Sequence, residues 1–420
     1  MNLFITGLSI SVAVLLGAVL KPKIEELGLL RKIVNVNNQR CSRIKGLEAC
    51  EDIFIDQPTG KAYLACSHRE HRANWVPAIN ILKLSAPSFL VMDHRKIQGP
   101  SEDYVAILDL KTLEYRKLQL ENLPASLLQN GIHVHGLDLF IHPETSDPAV
   151  NGSPLAASNS PRQATIYLIN HRFPDHQNNG LDTADSVIEV FDTVIGNDRA
   201  THRRTIQHHL LVTPNNLVGL DHSSFYATND HRTRKHWLNS VVHCSFDQTT
   251  LQCIPALHSR HQFPNGIAKG PGNTIYMSNT LNAHLRWLEI QQDKTLVVKA
   301  EIKVPRVIDN IYVTSSGSVF IAAIPSISMF QSLMGSLHKE KSTLVSPSEV
   351  WKVSNMTDQH TTSSPTRNLF SLERVFADDG NQESRVHTCP FVRLIAPWLS
   401  KKMLFCTPLG TFQFYKVTRQ

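Results

Sequence analysis

Five short polar pairs recur along the chain: Glu51-Asp52, His135-Gly136, Asn215-Asn216, Asn265-Gly266 and Asp309-Asn310. Four of them precede the start of the next apolar run by nine or ten residues. A single Asn or Asp in such a place makes an Asx-turn and nothing more. Recurrence at one position of a repeating unit carries more weight, because symmetry then brings the side chains to one level. The side chains are carboxylates and amides, so the set is an oxygen cage. Such a cage suits calcium, a hard ion that takes roughly six to eight oxygens at about 2.3–2.6 Å. Amides lower the charge of the cage without removing ligands.

The elements that would carry these pairs are strands. Apolar runs of one type are Lys61–Cys66, Ala164–Ile169, Ser224–Thr228, Thr274–Ser278, Ser318–Ala322 and Lys402–Cys406. Each is followed by an alternating run: Tyr104–Leu110, Val187–Phe191, Val241–Phe246, His284–Ile290, Glu349–Val353 and Thr411–Val417. The alternation has the period of a strand. Six such pairs, at intervals of roughly 40 to 100 residues, predict an all-β six-bladed β-propeller with a central channel, a seven-bladed ring being the alternative. A short strand precedes several pairs, as at Asp52–Asp56, and the first strand of a blade lines the channel. The polar pairs sit at the start of those strands and should face the axis.

With 420 residues, 41% hydrophobic and 19% charged, the chain can bury a large core, and disordered and multi-span membrane classes are excluded. The net charge of +6 is spread along the chain without basic-aromatic runs, so no nucleic-acid partner is expected. Leu3–Leu20 is apolar and is followed by Lys21 and Lys23. Residues 1–22 therefore read as a signal peptide or a signal anchor, and 23–420 as the propeller. Either reading directs the chain to the secretory pathway, secreted or held at a membrane by residues 3–20. Asn151-Gly152-Ser153 and Asn355-Met356-Thr357 are glycosylation acceptors, with Pro154 weakening the first. The seven cysteines include no C-x-x-C pair. Cys244 and Cys253 fall opposite each other across a hairpin, either as a cross-strand disulfide or as two free thiols.

At these residues the chain resembles the serum paraoxonase/arylesterase family, from about Cys41 to the C-terminus. The matching segments are Ile44-Lys45-Gly46-Leu47-Glu48 leading to Glu51-Asp52, then Val134-His135-Gly136 and Ile169-Asn170-His171. They continue with Phe225–His231, Asn265-Gly266-Ile267 and Val307–Ile311. The resemblance implies a six-bladed propeller with two calcium ions in its channel. It places the catalytic calcium on Glu51, Asn215, Asn265, Asp309 and Asn310. It places the structural calcium on Asp52, the Leu137 carbonyl and the position of Asn216, and a histidine pair on His135 and His171. Asn216 stands where the family has a carboxylate, which should weaken the second ion. Tyr415 stands where the family has the disulfide partner of the N-terminal cysteine, here Cys41.

The expected activity is hydrolysis of carboxylic esters and lactones as small-molecule substrates. Calcium would polarise the carbonyl, and a base would take a proton from the attacking water. Imidazole is suited to that work, which makes His135 the leading base with His171 orienting it; Glu51 or Asp309 is the competing base. No G-x-S-x-G elbow, H-E-x-x-H helix or phosphate-binding G-x-x-x-x-G-K-[ST] loop is present. The alternatives are a sugar-lactone hydrolase of the gluconolactonase kind and a non-catalytic, calcium-stabilised binding propeller.

Overall fold

Side chains alternate between the two faces of a strand, and in the second strands of the sheets, such as Ser224–Asn229, both faces are buried, whereas outer strands such as Leu296–Lys303 are largely exposed. The computed structural model describes residues 14, 17–18, 20–29, 31–38, 41–68, 100–143, 161–172, 184–230, 240–257, 263–336, 346–355, 370–380, 391–393, 402–405 and 411–416. The chain enters with β1 (Cys41–Glu48) and then forms a meander of β2 (Asp52–Asp56), β3 (Lys61–Cys66), β4 (Tyr104–Asp109) and β5 (Tyr115–Lys117). The next sheet contains β6 (Gln119–Glu121), β7 (Val134–Ile141), β8 (Gln163–Arg172), β9 (Asp185–Val194) and β10 (Arg199–Ile206), with helix α1 (Ala125–Asn130) before β7. In it β6 runs parallel to the outermost strand, β10.

Two regular meanders follow. One is β11 (Pro214–Asp221), β12 (Ser224–Asn229), β13 (Ser240–Phe246) and β14 (Leu251–Pro255). The other is β15 (Pro264–Lys269), β16 (Thr274–Asn279), β17 (His284–Ile290) and β18 (Leu296–Lys303). The fifth sheet is β19 (Val307–Val313), β20 (Val319–Ile324), β21 (Ser348–Asn355) and β22 (Phe370–Asp378), with helix α2 (Ile327–Ser336) after β20. A further sheet joins β1 to the C-terminal β23 (Phe391–Arg393), β24 (Lys402–Phe405) and β25 (Thr411–Lys416), in the order β1-β25-β24-β23.

The result is an all-β propeller. Every apolar run of the first type is a strand that pairs antiparallel with the strand of the alternating run after it. The innermost strands β2, β7, β11, β15 and β19 adjoin one another in that order around the channel. The core is divided into seams between neighbouring sheets. Tyr63 and Ile107 meet Leu139 and Leu168 in one seam, and Ile169 and Val190 meet Leu217 and Phe225 in the next. Val218 and Tyr226 meet Ile267 and Met277, and Tyr276 and Leu285 meet Ile308 and Ile321. In a last seam, Ile44 and Leu47 of β1 pack with Leu64, Phe320 and Phe376.

Cys244 and Cys253 face each other across β13 and β14 and form a disulfide. A second disulfide, Cys50–Cys66, was not expected from the sequence; it ties the approach to β2 to the end of β3. Cys41 lies opposite Tyr415 in the β1–β25 register, in keeping with the position implied by the family resemblance. Of the N-terminal segment, residues 20–27 are helical, and most of Leu3–Leu20 lies outside the described residues. Among the described residues no helix is long and apolar enough to cross a membrane. Asn151 lies outside the described residues; Asn355 ends β21, and the rest of its acceptor triplet also lies outside them.

Candidate active site

The polar pairs gain their aim from backbone irregularities. Four inner strands slip register by one residue, between Val134 and Leu137, Pro214 and Leu217, Pro264 and Ile267, and Ile308 and Ile311. Those slips enclose His135-Gly136, Asn215-Asn216, Asn265-Gly266 and Asp309-Asn310. A bulge of this kind breaks the in-out alternation and re-aims side chains, here toward the channel. Glycine is required at two of the pairs by close approach. A Cβ on Gly136 would lie 2.6 Å from the Asn215 carbonyl oxygen, and one on Gly266 would lie 2.7 Å from Asn310 Cα.

Glu51, His135, Asn215, Asn265 and Asp309 are all buried and close together. Glu51 Oε1 lies 3.3 Å from His135 Nε2 and accepts a hydrogen bond from Asn310 Nδ2 at 3.1 Å. Asn215 Nδ2 donates to Asp230 Oδ2 at 2.8 Å and lies 3.5 Å from His135 Nε2. The Asn265 side chain hydrogen-bonds to the Asp309 carboxyl. Burial, followed by the charges of Glu51 and Asp230, pushes Asp309 well above the usual carboxylate range. The amide oxygens of Asn215 and Asn265 are buried and receive no hydrogen bond among the described residues. Buried oxygens without donors, beside carboxylates held above their ordinary range, suit a hard cation. Among the described residues no three His, Cys, Asp or Glu side chains form such a site by themselves, so a cation here would depend on the amides too.

A histidine chain leads away from this group. His135 Nδ1 is 2.9 Å from His171 Nε2, and His171 Nδ1 is 2.8 Å from Ser186 Oγ on β9. The imidazoles meet edge to face, with centroids 4.9 Å apart. Both rings are buried, and the His171 N–H bonds to the His133 carbonyl at 3.0 Å, which holds β8 against the approach to β7. Ser186 was not singled out in the sequence, where a serine at a strand start gives no chemical signal. Thr228 and Ser278 were missed for the same reason. Thr228 Oγ1 donates to the Asn265 carbonyl at 2.7 Å and Ser278 Oγ to the Asp309 carbonyl at 2.6 Å. Each hydroxyl thus anchors the bulge of the following sheet.

Asp52, Leu137 and Asn216 form a second level. Asp52 Oδ2 accepts from the Leu137 N–H at 2.8 Å and from Asn216 Nδ2 at 3.1 Å; Oδ1 accepts from the Ile53 N–H at 2.8 Å. Asn216 Nδ2 also donates to Asn310 Oδ1 at 2.8 Å. Burial and then the charge of Glu51 raise Asp52 to about 7. Beyond this level the channel continues as a cavity of about 270 Å³ whose walls include Asp138, Gly219, Lys269 and Tyr312. Asp138 lines this cavity, accepts from the Gly219 N–H at 2.8 Å, and is raised by burial to about 8.

A family profile described as Arylesterase matches residues 156–407, more than half of the chain. Serum paraoxonase/arylesterase 2 of Canis lupus familiaris is 24% identical over 310 residues, 70% of this chain and 72% of that protein. Serum paraoxonase/arylesterase 1 of Rattus norvegicus is 23% identical over 314 residues, 71% of this chain and 73% of that protein. Among solved structures, a gluconolactonase from Xanthomonas campestris aligns with a TM-score of 0.37 at 11% identity, covering 92% of this chain and 99% of that one. The profile match includes the strands that carry His171, Asn215, Asn265 and Asp309. This chain belongs to the arylesterase family, the family of the serum paraoxonases.

Proposed function

We propose that this chain is a calcium-dependent hydrolase of carboxylic esters and lactones, acting by direct attack of water. The observation that carries the reading is the pair of donor-free, buried amide oxygens on Asn215 and Asn265, placed among Glu51, Asp309 and His135. Glu51, Asn215, Asn265 and Asp309 would hold the ion, with Asn310 beside them. Bound calcium supplies Lewis-acid polarisation of the substrate carbonyl and offsets charge on the developing oxyanion.

His135 is the base. In the tautomer whose Nδ1–H donates to His171 Nε2, His135 Nε2 carries no proton and can accept one from water. The imidazolium so formed lies 3.3 Å from Glu51, whose charge stabilises it. His171 Nδ1–H in turn donates to Ser186 Oγ, so the second ring is fixed in orientation and takes up the Nδ1 proton of the first without rotating. Burial of both rings keeps bulk water from competing for these bonds.

Two finer features belong with this proposal. The sheet of β1 and β23–β25 would be the sixth blade, making the ring six-bladed. Two disulfides among the described residues support passage through an oxidising compartment, and hence the secretory pathway. Glycosylation at Asn151 and Asn355 and membrane attachment through residues 3–20 would accompany that route.

The test is hydrolysis of phenyl acetate and a panel of aromatic and aliphatic lactones by the purified chain, with calcium and after its removal by EGTA. Turnover should vanish on chelation and return with calcium, and Asp309→Ala should abolish both turnover and calcium binding. Activity indifferent to chelation would overturn the metal-assisted reading. Calcium-dependent folding without turnover would favour the non-catalytic propeller.

A further inference from the structure

The second level, assigned to a structural calcium by resemblance, does not present the oxygens such an ion needs. Both carboxylate oxygens of Asp52 accept N–H donors: Oδ1 from Ile53, Oδ2 from Leu137 and Asn216. Asn216 Oδ1 is taken by the Leu217 N–H at 2.7 Å. The Leu137 N–H is one of those donors, at 2.8 Å from Asp52 Oδ2. The Asn216 NH₂ group stands between Asp52 Oδ2 and Asn310 Oδ1 and donates to both, at 3.1 and 2.8 Å. An amide with two N–H donors aimed at two oxygens meets the same electrostatic need as a small cation between them, without carrying charge. Asn310 then passes the order upward, donating from Nδ2 to the Glu51 carbonyl at 2.9 Å and to Glu51 Oε1.

We infer that the Asn216 amide replaces the lower calcium, so that this chain binds one calcium ion rather than two. The inference rests on the calcium reading of the upper level. Asn216 is here a structural bridge. Its NH₂ links β2, β11 and β19 across the channel, and it aligns Asn310 against Glu51 by hydrogen bonds that need no metal. A carboxylate at this position could not donate. Facing Asp52 it would place two anions together, and a cation would be required between them.

The experiment is calcium binding to the full chain, stripped by dialysis against EGTA and titrated with calcium chloride by isothermal calorimetry. Three proteins are compared: wild type, Asp309→Asn and Asn216→Asp. One ion per wild-type chain, lost in Asp309→Asn, is the expected result. Asn216→Asp should restore a second ion, giving two per chain. Two ions on the wild-type chain would overturn this inference and leave the upper-level reading standing. A single ion that survives Asp309→Asn would overturn both the inference and the upper-level reading, since it would then sit at the lower level. No binding at all would sink the calcium reading of the upper level together with the inference. The wild-type stoichiometry decides the matter even where a variant fails to fold.

Discussion

At the scale of single residues, the histidine chain separates the roles that the site combines. His135 touches both the carboxylate of Glu51 and the ring of His171, whereas His171 joins His135 to Ser186. A base that is removed costs roughly 10²- to 10⁴-fold in rate. His135→Gln should therefore lower kcat by about that factor while calcium stoichiometry, read by calorimetry, stays at the wild-type value. Wild-type turnover in that variant would move the base to Glu51 or Asp309. Ser186→Ala removes a neutral hydrogen bond worth about 1 kcal/mol, so kcat should fall only about fivefold, with KM unchanged. His135 and the cage residues stood out in the sequence because polar pairs recur there at one position of the repeat, whereas His171 entered only through the family resemblance. Ser186, Thr228 and Ser278 did not stand out, because a hydroxyl that anchors a backbone carbonyl looks like any other serine or threonine in a strand.

At the scale of elements, the bulges explain why the polar pairs were readable and also why their detailed aim was not. A strict strand would send adjacent residues to opposite faces, so a pair such as Asn215-Asn216 could not serve one channel. The slipped registers change that, but a one-residue slip leaves no mark in composition. The glycines at Gly136 and Gly266 are the nearest thing to a signal, and their cause lies in the next sheet rather than in their own. The Cys50–Cys66 link was hidden for a similar reason: sequence separation says nothing about which residue faces which. It sits directly before Glu51, whose N–H bonds to the Ala65 carbonyl. By loop entropy a bridge of this span contributes about 3 kcal/mol. The paired variant Cys50→Ala/Cys66→Ala should lose about that much in denaturant unfolding and bind calcium more weakly, since Glu51 is then held by fewer restraints. Unaltered calcium affinity would show that β2 alone fixes Glu51.

For the molecule as a whole, the buried carboxylates make stability, pH and metal a single problem. Asp52 is raised to about 7 and Asp309 well above its usual range, both first by burial. Between about pH 4 and about pH 7 the folded, metal-free chain therefore holds protons that the unfolded chain has released. Its stability must fall as pH rises through that window, since deprotonation favours the unfolded state. A bound cation reverses the preference. Melting temperatures measured with and without calcium should then diverge steadily from about pH 5 to about pH 7. A constant gap would mean that these carboxylates do not meet the ion.

The pairing of β1 with β25 has a bearing on how this protein is made. A nascent chain leaving the ribosome can assemble each consecutive meander as it emerges, because those contacts are local. The sheet that unites β1 with β25 must wait for β25 to leave the ribosome, and until then β1 has no strand to pair with in that sheet. Residues 49–51 lead straight from β1 into β2, so the ion-binding constellation is expected to settle only once β25 has paired with β1.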